Sequence, residues 1–117
     1  MENLKKVVSA LSEKHLDEIV ALDMRTHSPM YDFTVITTAK NERIIAAVVR
    51  ELKDLDGQDG LTLKAIEGRS EGEWMLADFG QIVVHVFTPE TRGRYNLEKL
   101  WGDVERIDIS EVITNGV

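Results

Sequence analysis

The sequence predicts an α/β fold in which helices pack on a mixed five-stranded sheet. Two segments, residues 2–14 and 42–56, carry apolar side chains at helical spacing, and short runs rich in β-branched residues lie between and after them. Three strand-like runs follow one another through short glycine-bearing loops in residues 61–87, which predicts antiparallel pairing there. The second helix is long enough to act as a crossover connection, so parallel neighbours are expected as well.

The first half of the chain supplies one helix and two strands. The helix is predicted over residues 2–14 from its apolar positions, Leu4, Val7, Val8 and Leu11. The first strand is expected at Ile19–Met24, with Val20, Leu22 and Met24 on one face. A loop over residues 25–30 connects it to the second strand, Tyr31–Thr38, which is rich in β-branched residues.

The second helix has a clear start and a clear end in the sequence. Asn41 is a good capping residue, and Glu42 lies favourably in the first turn. A wide apolar stripe continues from there, formed by Ile44, Ile45, Val48, Val49, Leu52 and Leu55. The helix is therefore predicted to run to about Asp56 and to stop at Gly57.

Three more strands are predicted at Leu61–Glu67, Glu73–Phe79 and Ile82–Phe87. A third helix should start at Thr88–Glu90, where a hydroxyl precedes a proline and an acid. Gly93 is expected to break its first turn.

A further short helix is expected from Asn96 to Gly102. The expected organisation is one domain over residues 1–102, followed by an acidic tail, residues 103–117, that is loosely docked or forms a final short element.

The composition excludes several classes of protein. The chain has no cysteine, so disulfides, thiolate catalysis and Cys-type zinc sites are excluded. No apolar run approaches a membrane span, and the N-terminus lacks a secretory signal, so a cytoplasmic location is expected. The net charge of −7 disfavours binding to a phosphate backbone and suits a basic partner protein, although it also keeps a small domain soluble.

Catalytic patterns in the sequence are weak. Asp23, Asp32 and Asp78 lie at or near predicted strands and could gather a divalent metal if those strands were neighbours. The alternative is that Asp23 and Asp32 form hydrogen bonds within loops and that Asp78 ends a strand before a turn. No phosphate-binding glycine loop precedes a helix, and His85 has no ligand-like spacing to another histidine. We expect no catalytic residue, no metal and no cofactor.

A set of motifs, taken together, resembles the ribosome-silencing factor family, also called the Iojap family. The resemblance extends from about Leu4 to Trp101, and its motifs are Ile19-Val-Ala-Leu-Asp-Met24, Ser28, Asp32-Phe-Thr-Val-Ile, Arg43, Glu67-Gly68, Trp74-x-x-x-Asp78, Gly80, Val83-Val-His-Val-Phe87, Arg92 and Tyr95-x-Leu-Glu-x-Leu-Trp101. Their order and spacing make the combination specific. Two positions depart from the family pattern, because Ala39 and Asn41 stand where a glycine and a serine are common, which further weakens any phosphate-binding role.

The resemblance implies a nucleotidyltransferase-like α/β fold without catalytic activity. It also implies binding to the L14-type protein, the fourteenth protein of the large ribosomal subunit, on the face that meets the small subunit. A factor docked there would block subunit joining sterically and so repress translation when nutrients are short. Family members are also similar in forming homodimers.

Five residues are predicted to contact the partner. Trp74, Tyr95 and Trp101 would be apolar anchors, and Asp78 and Glu98 would face lysines or arginines of a basic ribosomal protein. Trp101 could instead close the core.

Two other functions stay open at the level of sequence. The chain could be an active metal-dependent nucleotidyltransferase that uses the three aspartates. It could also be a dimeric adaptor that uses its aromatic surface only for self-association and does not bind ribosomes.

Overall fold

The computed structural model describes residues 2–14, 16–58, 60–68, 74–95 and 104–109. Three helices and six strands are formed within these ranges. In chain order they are α1 Glu2–Glu13, β1 Asp17–Asp23, β2 Phe33–Thr38, α2 Glu42–Asp54, β3 Ala65–Gly68, β4 Trp74–Asp78, β5 Ile82–Phe87, α3 Pro89–Tyr95 and β6 Arg106–Ile107. No helix in the described part of the chain has the length and apolar character needed to cross a membrane.

The strands form one mixed sheet in the order β3-β4-β5-β2-β1-β6. β2 and β5 are parallel, and every other neighbouring pair is antiparallel. The predicted mixed α/β sheet and the antiparallel β3-β4-β5 unit are therefore confirmed. The predicted number of five strands is wrong, because Arg106 and Ile107 pair with Leu22 and Ala21 and add a sixth strand at the β1 edge. A strand of two residues is too short to produce an alternating pattern in the sequence.

The main apolar core lies between one face of the sheet and the helices α1 and α2. Side chains of α1, α2 and alternate strand positions meet there, and its fully buried members include Val7, Val8, Val35, Val48, Leu52, Val84 and Val86. These residues occupy the predicted apolar stripes of the two helices and one face of the central strands. Burial of this surface is the main stabilising term of the fold.

Helix α2 begins as the sequence predicts. The Asn41 side-chain oxygen accepts a hydrogen bond from the Ile44 backbone N–H at 3.0 Å, which satisfies one of the orphan donors of the first turn. The helix ends at Asp54, two residues before the predicted end, and Gly57 follows with a φ of 88°. A positive φ favours glycine at that turn.

Helix α3 differs from the prediction at Gly93. The helix starts at Pro89, as expected, and continues through Gly93 to Tyr95. A glycine inside a helix costs only about 1 kcal/mol, and that cost does not end this helix. The predicted helix from Asn96 to Gly102 lies outside the described residues.

The sheet face away from α1 and α2, called here the second face, carries a smaller apolar cluster. Its buried members are Leu22, Met24, Ile36, Phe87 and Val104, and Val20, Tyr31 and Trp74 pack against them half-buried. The predicted shared face of Val20, Leu22 and Met24 is therefore confirmed.

Thr34 and Thr37 form a matched pair of buried threonines on opposite faces of β2. Both are 0% exposed, but the Thr37 hydroxyl donates to the Asp17 carbonyl at 2.9 Å, whereas the Thr34 hydroxyl has no hydrogen-bond partner among the described residues. We expect Thr34→Val to raise the free energy of unfolding by about 1 kcal/mol and Thr37→Val to lower it by about the same amount. Urea denaturation of both variants checks this, and equal effects of the two substitutions would contradict it.

Candidate partner-binding surface

Strand β4 presents three half-buried side chains on the second face of the sheet. Trp74, Leu76 and Asp78 point there, because they alternate with Met75 and Ala77, which are buried in the main core. We call these three side chains the β4 row. The row combines an aromatic, an aliphatic and an acidic group within five residues of one strand.

The Trp74 ring is held in place by its neighbour across the sheet. Trp74 pairs with Phe87 of β5, and their ring centroids are 6.4 Å apart at an interplanar angle of 27°. The His85 ring lies 6.1 Å from the Phe87 ring and almost parallel to it, at 4°. Stacked aromatic groups of this kind have a fixed geometry, so Trp74 is preorganised without a partner.

Leu76 lies at the centre of the β4 row. It is half-buried, and among the described residues it belongs to neither apolar cluster. Its cross-strand neighbours are His85 on β5 and the exposed Glu67 on β3. Leu76 is not among the five contacts predicted from the sequence, although the alternation of β4 places it on the same face as Trp74 and Asp78.

Asp78 ends β4 and closes the turn that follows. Its Oδ1 accepts a hydrogen bond from the Gly80 backbone N–H at 2.7 Å, and Gly80 has a φ of 86°. The expected role of Asp78 at the end of a strand is confirmed. Its carboxylate is still half-buried and lies at the end of the β4 row.

Gly68 allows the start of β4 to approach β3 closely. A Cβ atom on Gly68 would lie 2.7 Å from the Trp74 carbonyl oxygen, a backbone atom that cannot rotate away. Steric contact with the backbone of Trp74, the proposed anchor, therefore explains the glycine of the Glu67-Gly68 motif.

The substitution Gly68→Ala is expected to displace Trp74 and to lower the free energy of unfolding by about 1–3 kcal/mol. Chemical denaturation measures the stability, and tryptophan emission in a Trp101→Phe background reports on Trp74 alone. Glu67→Ala, on the same strand, is the control and should change neither. Emission and stability unchanged in Gly68→Ala would contradict the steric argument.

The other three predicted contacts follow in the C-terminal part of the chain. Tyr95 is the last residue of α3, but its side chain lies outside the described part of the structure. Glu98 and Trp101 are also outside the described residues. The structure therefore places two of the five predicted contacts, Trp74 and Asp78, together on one strand face.

The three candidate metal-binding aspartates lie at the same end of the sheet, and Asp32, which directly precedes β2, is next to the Asp23 end of β1, whereas Asp78 is farther away. Asp23 ends β1 and Asp78 ends β4, and two strands, β5 and β2, lie between them. Asp23 pairs with Arg25 at 2.7 Å, and this hydrogen-bonded guanidinium lowers the pKa of the Asp23 carboxyl to about 2. Within the described ranges no three acidic or histidine side chains converge as a metal site would require.

A surface depression lies at the start of α2, where a phosphate-binding loop would be expected in a nucleotide-binding sheet. It is lined by Asn41, Glu42 and Arg43. The Asn41 side-chain oxygen already caps the helix, and the Glu42 carboxylate, which would repel an anion, lies beside Arg43, which would attract one. The lining therefore does not by itself indicate a phosphate site.

The comparisons with known proteins identify the family. A family model described as "Ribosomal silencing factor during starvation" matches residues 1–116. The chain belongs to this family. The ribosomal silencing factor RsfS of Halalkalibacterium halodurans is 38% identical over 113 residues, which cover 97% of each chain. The factor of the same name from Bacillus subtilis is 40% identical over 106 residues, covering 91% of this chain and 90% of that one.

A solved structure supports the same grouping. A crystal structure from Bacillus halodurans matches with a TM-score of 0.78 at 36% identity, covering 92% of this chain and 97% of that chain. The family resemblance and the α/β fold inferred from the sequence are both confirmed.

Proposed function

We propose that the protein binds the fourteenth protein of the large ribosomal subunit and blocks joining of the small subunit. Such binding would repress translation when nutrients are limiting. The proposal refines the family assignment, and the β4 row is the observation that supports it best. A preorganised tryptophan next to a half-exposed leucine and a carboxylate has the composition of an interface hot spot with a polar edge.

Charge favours a basic partner at this surface. On the second face, Glu67 lies across from Leu76 on β3 and Asp78 lies two residues along β4, and the whole chain carries a net charge of −7. Lysine and arginine side chains of a ribosomal protein would complement these carboxylates and speed docking. A nucleic acid backbone would be repelled by the same groups.

Steric exclusion requires no chemistry from this protein. A bound domain prevents the approach of the small subunit by occupying the contact surface, so no transition state has to be stabilised. We therefore propose a non-enzymatic factor that acts in the cytoplasm, with Tyr95, Glu98 and Trp101 as further contacts. In the absence of ribosomes we expect a homodimer.

Nucleotide transfer is the competing function, and the separation of Asp23 from Asp78 argues against a shared metal there. Calorimetric titration with magnesium and a nucleoside triphosphate tests it. Heat of binding that is lost in Asp23→Asn or Asp78→Asn would favour the enzyme.

The experiment that tests the proposal is binding to purified ribosomal parts. The labelled protein is titrated with large subunits, with small subunits and with the isolated fourteenth large-subunit protein. We expect saturable binding to the first and the last, and none to the small subunit. Binding to large subunits without binding to the isolated protein would contradict the proposed partner.

A further inference from the structure

Arg92 is a buried arginine that connects α3 to the sheet. It is 8% exposed, and its Nη1 donates to the Glu18 carbonyl and to the Thr38 hydroxyl, each at 2.8 Å. The first partner belongs to β1 and the second to the end of β2. A single side chain therefore joins three elements that are far apart in the chain.

The β1 end of this connection is irregular. The β1–β2 register shifts between Asp17 and Val20, and Glu18 has a φ of 50°, which is uncommon for a residue other than glycine. A bulge leaves backbone groups without ladder partners. Here two side chains supply the missing hydrogen bonds: the Thr37 hydroxyl donates to the Asp17 carbonyl, and Arg92 donates to the Glu18 carbonyl.

Helix α3 depends on such contacts for its position. It has seven residues, too few to be stable as an isolated helix in water. The Thr88 and Thr91 hydroxyls are hydrogen-bonded at 2.9 Å within its first turn, and the Arg92 N–H donates to the Thr88 carbonyl. These hydrogen bonds lie within the first turn of α3, whereas the hydrogen bonds of the Arg92 guanidinium connect α3 to the sheet.

We propose that Arg92 is a positioning residue of the docking surface and that it acts through Tyr95. Tyr95 is three residues further along and ends α3, so its backbone position follows the seating of the helix. The inference rests on the proposed function, since it assigns Arg92 a role in that same binding. A lysine ammonium would carry the same charge, but its donors rotate on a flexible stem, whereas the two N–H groups of Arg92 Nη1 are fixed in the guanidinium plane.

The test is a set of four double-mutant cycles, measured as the dissociation constant for purified large subunits. Arg92→Lys keeps the charge, and Thr38→Val removes one acceptor while Arg92 stays in place. Each is combined with Tyr95→Ala, and separately with Trp74→Ala, which lies on β4 and serves as the independent site. Circular dichroism and urea denaturation of each variant give the folded fraction, so that affinities refer to folded protein.

We expect Arg92→Lys to weaken binding about tenfold in the wild-type background and less than about twofold in the Tyr95→Ala background. With Trp74→Ala the effects should be additive, because independent sites add. Thr38→Val should show the same pattern with a smaller effect.

Four results would overturn the inference. Additive effects of Arg92→Lys and Tyr95→Ala would show that Arg92 does not act through Tyr95. An unchanged affinity of folded Arg92→Lys would reduce Arg92 to a stabilising residue. A Tyr95→Ala variant with wild-type affinity would remove Tyr95 from the surface while leaving the proposed function intact, whereas a wild-type protein that fails to bind large subunits would overturn both.

Discussion

Trp74→Ala is expected to weaken binding to the large ribosomal subunit by about thirtyfold or more, which corresponds to about 2 kcal/mol. Trp74 is half-buried against Phe87, so part of its ring is available to a partner while the other part is already fixed. A partner that covers the exposed part gains apolar burial without ordering a flexible side chain. Binding is measured as the dissociation constant for purified large subunits.

Two control variants separate contact from stability. Trp74→Phe keeps an aromatic ring over Phe87 and should retain most of the affinity. Ile66→Ala removes a half-buried apolar side chain that packs against the main core, on the opposite face of the neighbouring strand β3. Ile66→Ala should lose stability and keep its affinity. A Trp74→Ala variant that binds as tightly as Ile66→Ala would contradict the assignment of Trp74 as an anchor.

Acidification should destabilise the fold through His85. Burial lowers the pKa of His85 from 6.5 to about 4, because the charged imidazolium is disfavoured in this largely buried position. The unfolded chain therefore binds a proton at a higher pH than the folded chain does. The contribution is fully present above pH 6.5 and is lost as the pH falls towards 4, and it amounts to about 2 kcal/mol between pH 7.5 and 4.5.

The measurement is the free energy of unfolding from urea denaturation at pH values between 4.5 and 7.5. The control is His85→Leu, whose side chain is of similar size but cannot titrate, so its free energy of unfolding should change less with pH. The difference between the pH dependence of the wild-type protein and that of His85→Leu gives the contribution of His85. Asp23 does not interfere, because its lowered folded-state pKa of about 2 contributes stability that is lost mainly as the pH falls below its ordinary value of 3.8, outside the measured range. Parallel pH profiles for the two proteins would contradict the argument.

Much of the fold is predictable from the sequence because its signals are local. The Asn41 cap, the apolar stripe of α2 and the run Ile82–Phe87 each determine an element through their own residues. Strand β6 was not predictable, because its two residues are held by backbone pairing to β1, which is distant in the chain. The continuation of α3 through Gly93 is also not predictable from the sequence, because the low helix propensity of glycine is a local property and takes no account of tertiary contacts.

The candidate surface was predictable to a smaller extent. Trp74 and Asp78 are four residues apart on one strand, a spacing that puts both on one face, as observed in β4. Whether Leu76 is buried or available to a partner depends on which residues pack on the second face, and that is a property of the tertiary structure. The buried bonds of Arg92 to Glu18 and Thr38 likewise join residues with no local pattern in common.

The most direct test of the proposed silencing function is sucrose-gradient sedimentation of purified large and small subunits, with and without the protein, under conditions that allow joining. The proposal predicts that the protein sediments with the large subunit and that the peak of joined ribosomes decreases as its concentration rises. Trp74→Ala should restore joining, and Ile66→Ala should not. If the protein stays at the top of the gradient and joining proceeds unchanged, the proposed mechanism is wrong.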